Sequence, residues 1–153
     1  MKARCENLQR ILHREVPLSE TIGMGVHSYD GERLELKARL EPNVNIYGVA
    51  FGGSIYSMCA LSGWGLLILK LEDEGLDPRI MIAGGEIKYL KPVDQAIRAV
   101  SSLPDAEEVS KRSLSALFRT KPCSIGFDPT PCWVSPVLLA ITANILHFLS
   151  PSK

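Results

Sequence analysis

Between residues 43 and 54 the chain passes from a polar turn at Asn43 and Asn45 to groups able to meet an anion or a polarised carbonyl: the pair Gly52-Gly53, followed by Ser54. A Gly-Gly pair leaves backbone N–H groups open to close approach, and Ser54 is a competent helix N-cap. The first N–H groups of a helix lack intrahelical acceptors and lie at its positive end. Such a tip suits a phosphate or a developing oxyanion. The same glycines would equally serve close packing of the helix on a neighbouring strand. The carboxamide of Asn45 would close an Asx turn leading into the helix. Further on, Glu86 and Lys88 fall on one face of an expected strand, where a solvated pair carries little energetic weight. Ser54 and Ser57 have no histidine at helical spacing, so nothing supports a Ser–His nucleophile.

The element that must position these groups is the helix expected from Ser54 onward. From Ser54 to Leu69 there is no Asp, Glu, Lys or Arg. Apolar or small residues surround the wheel at Ile55, Met58, Cys59, Ala60, Leu61, Trp64, Leu66, Leu67, Ile68 and Leu69, so the helix must be buried on all sides. Its uncharged part is shorter than the roughly 20 residues of a bilayer crossing, and Lys70, Glu72, Asp73 and Glu74 end it. A central helix wrapped by a sheet is the expectation, with Gly75 just past its end.

Around that helix the pattern predicts further elements. Residues 1–15 read as a short amphipathic helix through Leu8, Ile11 and Leu12, with His13 on its solvated side. Pro17 ends it and a turn follows at residues 18–20. Residues 22–29 and 32–40 read as a hairpin around Asp30-Gly31. In its second strand Leu34, Leu36, Ala38 and Leu40 face inward while Arg33, Glu35, Lys37 and Arg39 face water. Arg79 to Leu90 and Ala96 to Val100 read as two more strands, the first carrying Gly84-Gly85 as a bulge or a point of close approach. Helix, two strands, buried helix and two strands make an α+β domain with an antiparallel sheet.

The totals exclude several function classes. Lys plus Arg and Asp plus Glu number 17 each, so no global field draws nucleic acid or an anionic membrane. Four cysteines, Cys5, Cys59, Cys123 and Cys132, show no CxxC and no disulfide framework. With a charged N-terminus and no secretory signal, a reducing, cytoplasmic location is expected. No metal site is expected: Cys123, Cys132 and His147 match no standard zinc spacing.

The string Asn45-Ile46-Tyr47-Gly48-Val49-Ala50-Phe51-Gly52-Gly53 resembles the Asn-x-x-Gly-x-x-His-Gly-Gly signature of hotdog-fold acyl-CoA thioesterases. Pro42-Asn43-Val44-Asn45, Phe51 to Tyr56, Gly63-Trp64-Gly65 and Ile87 to Val93 resemble most the YiiD-type thioesterase-like domain of that superfamily. The resemblance covers roughly residues 8–105. It implies a hotdog fold, an antiparallel sheet wrapped around a long central helix, and a homodimer with sites at the subunit interface. It also implies an acyl-CoA or acyl-carrier thioester as substrate, with coenzyme A entering only as part of it and no cofactor. Asn45, Gly52, Gly53 and Glu86 would be the catalytic set, and Ser54, Tyr47, Lys88 and Tyr89 would bind substrate. Two positions depart from the pattern. Phe51 replaces the motif's histidine, and Ala60 stands where many relatives carry an acidic residue on the helix. Glu86, reaching across a dimer interface, would have to supply the base.

From about Val109 the pattern changes, so the chain divides into a core of residues 1–108 and a divergent tail of 109–153. Pro122, Pro129, Pro131 and Pro136 fall where relatives complete the sheet, and prolines are excluded from central strands. The apolar run from Val137 to Leu149 is too short to span a bilayer unaided. Besides thioester hydrolysis two readings stay open: an acyl or coenzyme A binder without turnover, and an interaction protein that uses this run at a membrane.

Overall fold

The computed structural model describes residues 2–77, 79–82, 85 and 87–103, together with the backbone of 124–127 and 130–133. In chain order these form α1 (Lys2–Glu15), α2 (Pro17–Thr21), β1 (Met24–Tyr29), β2 (Arg33–Ala38), a short 3-10 turn at Glu41–Asn43, α3 (Gly52–Asp73), β3 (Ile97–Ser102), β4 (Ser124–Phe127) and β5 (Thr130–Trp133). The described strands make one antiparallel sheet in the order β1-β2-β3-β4-β5. Packed on it, α3 makes the molecule a hotdog fold of the α+β class.

The apolar periods explain the core. Leu34, Leu36 and Ala38 of β2 and Ile97 and Ala99 of β3 are buried against Ile55, Met58, Cys59, Leu66, Leu67 and Leu69 of α3. From α1, Leu8 and Leu12 complete this layer. Gly65 marks a close contact of α3 with the core: a Cβ there would lie 3.0 Å from Leu34 Cδ2 and 3.1 Å from Leu8 Cδ2. By length and composition α3 would suffice to cross a membrane, but here sheet and α1 bury most of it.

Several expectations are corrected. The helix starts at Gly52 with Phe51 as N-cap, so Ser54 is buried inside the first turn instead of capping it. Pro17 does end α1, yet it also opens α2, where its missing N–H costs nothing. His13 is not simply solvated: its Nε2–H donates to Met24 O at 2.8 Å, while Gln9 Oε1 accepts from Val26 N at 3.0 Å. One turn apart on α1, these two side chains satisfy backbone groups of the edge strand β1, a device that blunts edge-to-edge pairing.

Glu35 shares the outward face of β2 with the exposed Arg33 and Lys37, yet it is itself enclosed. It is 6% exposed, because Arg98 of β3 grips it in a fork at 2.7 and 2.8 Å and Lys37 stands 3.3 Å away. The expected strand from Arg79 to Leu90 does not form among its described residues, which run as irregular backbone. No neighbouring strand among the described residues offers them a ladder, and Trp64 Nε1 holds the segment by donating to Ile80 O at 3.1 Å.

In the proline-rich region two short strands do form, β4 beside β3 and β5 beyond it. Pro131 sits in β5, at the edge of the described sheet, where a missing N–H breaks no ladder. The boundary expected at 108/109 and the apolar run 137–149 lie outside the described residues.

Candidate functional site

The loop from the 3-10 turn into α3 is built by two asparagines. Asn43 is buried, and its Nδ2 donates to Ile22 O at 2.9 Å and Arg39 O at 2.8 Å. Its own carbonyl accepts from Phe51 N at 2.6 Å, so both ends of the loop are tied to one residue. Asn45 Oδ1 accepts from Tyr47 N at 2.8 Å and from Val49 N at 3.4 Å. Two backbone bonds close the same turn, Asn45 N to Val49 O at 2.8 Å and Gly48 N to Asn45 O at 3.0 Å. The turn passes through Gly48 at φ 73°, which favours glycine. The Asx-type turn, one of the two readings of Asn45, is present. Ala50 N then bonds Val93 O at 2.7 Å, docking the loop beside residues 87–93.

At the tip of α3 the two glycines each admit an aromatic ring. A Cβ on Gly52 would lie 3.1 Å from Tyr89 Cζ and Oη, and one on Gly53 would lie 2.3 Å from Phe51 Cε1. Tyr89 Oη donates to Gly52 O at 2.8 Å. Burial, followed by the nearby Cys59 and Tyr56 groups, pushes the Tyr89 phenol above its usual range. The amides of Gly52, Gly53 and Ser54 have no intrahelical acceptor by position, and Phe51 contributes no side-chain cap. The tip therefore keeps donors for an incoming oxygen, framed by two aromatic rings.

The expected residues divide accordingly. Asn45, Tyr47, Gly52, Gly53, Ser54 and Tyr89 fall on one loop and helix tip or touch it. Tyr47 is exposed and Ser54 offers an amide and not an accessible hydroxyl. Lys88 is exposed on the segment that carries Tyr89. Glu86 lies outside the described residues. Ala60 is buried in α3, which carries no carboxylate before Glu72. The loop before α3 and the segment 87–90 carry exposed apolar side chains, Val44, Ile46, Tyr47, Phe51, Tyr89 and Leu90, of which Phe51 and Tyr89 lie against the tip. Two grooves of about 450 and 410 Å³ lie elsewhere, along α1, and hold none of these residues. Among the described residues no cluster of His, Cys, Asp and Glu could hold a metal ion.

Sequence reasoning missed two contributors. Asn43 gave no signal beyond its place in a turn. Phe51 stands where the motif has histidine, and its ring lies over Gly53 where a Cβ would be.

A family described as "Putative thioesterase (yiiD_Cterm)" matches residues 5–126, which takes in α1, the Asn-Gly-Gly loop, α3 and β3. The chain belongs to this family. The match runs beyond residue 105, where the motifs legible in the sequence end, to take in most of β4. Among solved structures, a "putative thioesterase" of Shewanella oneidensis is 28% identical, with a TM-score of 0.76 over 88% of this chain and 94% of its own. A Chlorobaculum tepidum protein of unknown function is 36% identical, with a TM-score of 0.65 over 70% of this chain and 66% of its own. A thioesterase of Haemophilus influenzae, 16% identical, shares the fold with a TM-score of 0.63 over 87% of this chain and 86% of its own. The YiiD-type chain is thus thioesterase-like in family and in fold.

Proposed function

We propose that this YiiD-type protein hydrolyses an acyl-CoA or acyl-carrier thioester, working as a homodimer in the cytoplasm. The observation that carries the reading is the Gly52–Gly53 tip of α3, whose backbone donors sit inside an exposed apolar rim. Fixed N–H donors aimed at a forming oxyanion lower the barrier to acyl transfer because charge develops on that oxygen only in the transition state. The Gly52 and Gly53 amides would take that role. Asn45 would act by holding the loop beside them, and the apolar rim of Tyr47, Phe51 and Tyr89 would receive the acyl or pantetheine chain. Lys88, exposed nearby, suits the phosphates of coenzyme A. Ser54 would contribute its amide.

In the reaction water oxygen bonds to the thioester carbon, the C–S bond breaks, and the thiolate leaves with the electron pair. The water proton passes to a base and the thiolate recovers one from solvent. Glu86 is our candidate for the base, since α3 supplies none. Hydrolysis needs no cofactor beyond the coenzyme A of the substrate, and neither nucleic acid nor membrane enters this reading.

A panel of acyl-CoAs of increasing chain length, read by release of free thiol, tests the proposal. Turnover that saturates is the expected result. Saturable binding without thiol release would instead make the protein an acyl or coenzyme A binder, a reading that buried Ala60 and the turn-forming role of Asn45 favour.

A further inference from the structure

The hydroxyl of Tyr89 has work that neither the fold nor the amide tip accounts for. Its ring lies close on the first turn of α3, where a Cβ on residue 52 would meet Cζ and Oη at 3.1 Å. Its proton is committed to Gly52 O at 2.8 Å. A phenol oxygen that donates its only hydrogen keeps lone pairs able to accept, and Tyr89 is 53% exposed. The bond to Gly52 O is not needed to satisfy a buried group, because that carbonyl belongs to the helix ladder. The phenol therefore presents an acceptor to solvent, next to a turn whose amides present donors.

Hydrolysis needs that pairing: donors for the carbonyl oxygen and an acceptor that aims water at the carbonyl carbon. We propose that Tyr89 is a positioning residue whose Oη accepts a hydrogen bond from the nucleophilic water and holds it beside the Gly52–Gly53 tip. This rests on the thioesterase reading above. Tyr89 keeps its own proton throughout. The water oxygen forms the new C–O bond, its proton passes to the base, and the C–S electron pair leaves on the thiolate. The upward push on the phenol, by burial and then by Cys59 and Tyr56, agrees with a group that stays neutral and orients water without deprotonating it. Tyr56 and Cys59 lie four and seven residues after Gly52, on the face of α3 that Tyr89 covers.

Tyr89→Phe tests this directly, because the ring still packs on Gly52 and only the hydroxyl is lost. The expected result is a fall in kcat of about tenfold, the scale of one neutral hydrogen bond at the reacting centre. KM, the melting temperature and the affinity for a non-hydrolysable thioether analogue of acyl-CoA should stay unchanged. Tyr89→Leu, which also removes the ring, should in addition weaken analogue binding. An unchanged kcat in Tyr89→Phe overturns the proposal while leaving the thioesterase reading intact. So does a rise in KM alone, which would make Tyr89 a substrate contact, or a lowered melting temperature with lost analogue binding, which would make it structural. A wild-type protein that releases no thiol from any acyl-CoA overturns both.

Discussion

At the scale of single residues, the site depends on side chains that spend their polar atoms on the backbone. Asn45 Oδ1 is engaged by Tyr47 N and Val49 N, so its first duty is the loop that carries the tip of α3. This separates two substitutions. Asn45→Ala should lower stability by about 1 kcal/mol, the net worth of such bonds, and reduce kcat by misplacing the loop. Asn45→Asp keeps the accepting oxygen, so steady-state assays should find it close to wild type. An equal loss in both variants would point to the amide NH2 as a direct contact with substrate or water. The motif made Asn45, Gly52 and Gly53 legible as a group. It did not tell an orienting amide from a turn, because both use the same residue type at the same position and differ only in which atoms lie within reach.

At the scale of elements, α3 is held by how closely its neighbours approach. At Gly65 a Cβ would meet the ends of Leu34 and Leu8 at 3.0 and 3.1 Å. Gly65→Ala should be nearly neutral in urea unfolding, since the gain in helix propensity offsets a small shift of two flexible leucine ends. Gly65→Val should cost roughly 1–3 kcal/mol, as overpacking of a filled core does. On the other face of the sheet, Glu35 joins β2 to β3. Burial alone would raise its carboxyl, but hydrogen bonds from Arg98 and Lys37, then their charges, bring it below the ordinary carboxylate value. A carboxyl whose folded pKa is depressed adds stability above its unfolded value, near 4.3, and loses it as pH falls through the folded one. The Glu35 contribution should therefore be constant at neutral pH and vanish in acid below about pH 4. Glu35→Gln should flatten that part of the stability–pH curve. Arg98→Ala, which leaves the carboxylate with less than its full set of donors, should cost about 2 kcal/mol by thermal melting at pH 7. Alternation in β2 revealed its inward face at once. It assigned Glu35 to water because the partner that covers it is Arg98, far along the chain.

For the molecule as a whole, the exposed apolar rim argues for a second copy. Ile46, Tyr47 and Phe51 on the loop entering α3 and Tyr89 and Leu90 on the segment docked beside it are exposed, and Met81 is 73% exposed earlier on that segment. Clustered apolar exposure of this kind marks interaction surfaces. Sedimentation should give a dimer, and Met81→Lys with Leu90→Lys should shift it to monomer with loss of thioesterase activity. A monomeric but fully active wild type would leave the rim to substrate alone. The sequence by itself determined that a charge-free helix lies buried under an antiparallel sheet, that a hairpin precedes it, and that a glycine pair stands at its start. These are periodic or local properties, written wherever each residue's neighbours in the chain decide which way it faces. Only the tertiary structure decided that residues 79–82 and 87–90 run without a strand ladder among the described residues, that Phe51 and Tyr89 cover the two glycines, and that Glu35 is enclosed. Each of those depends on which distant segment comes to lie alongside, and packing, not period, sets that.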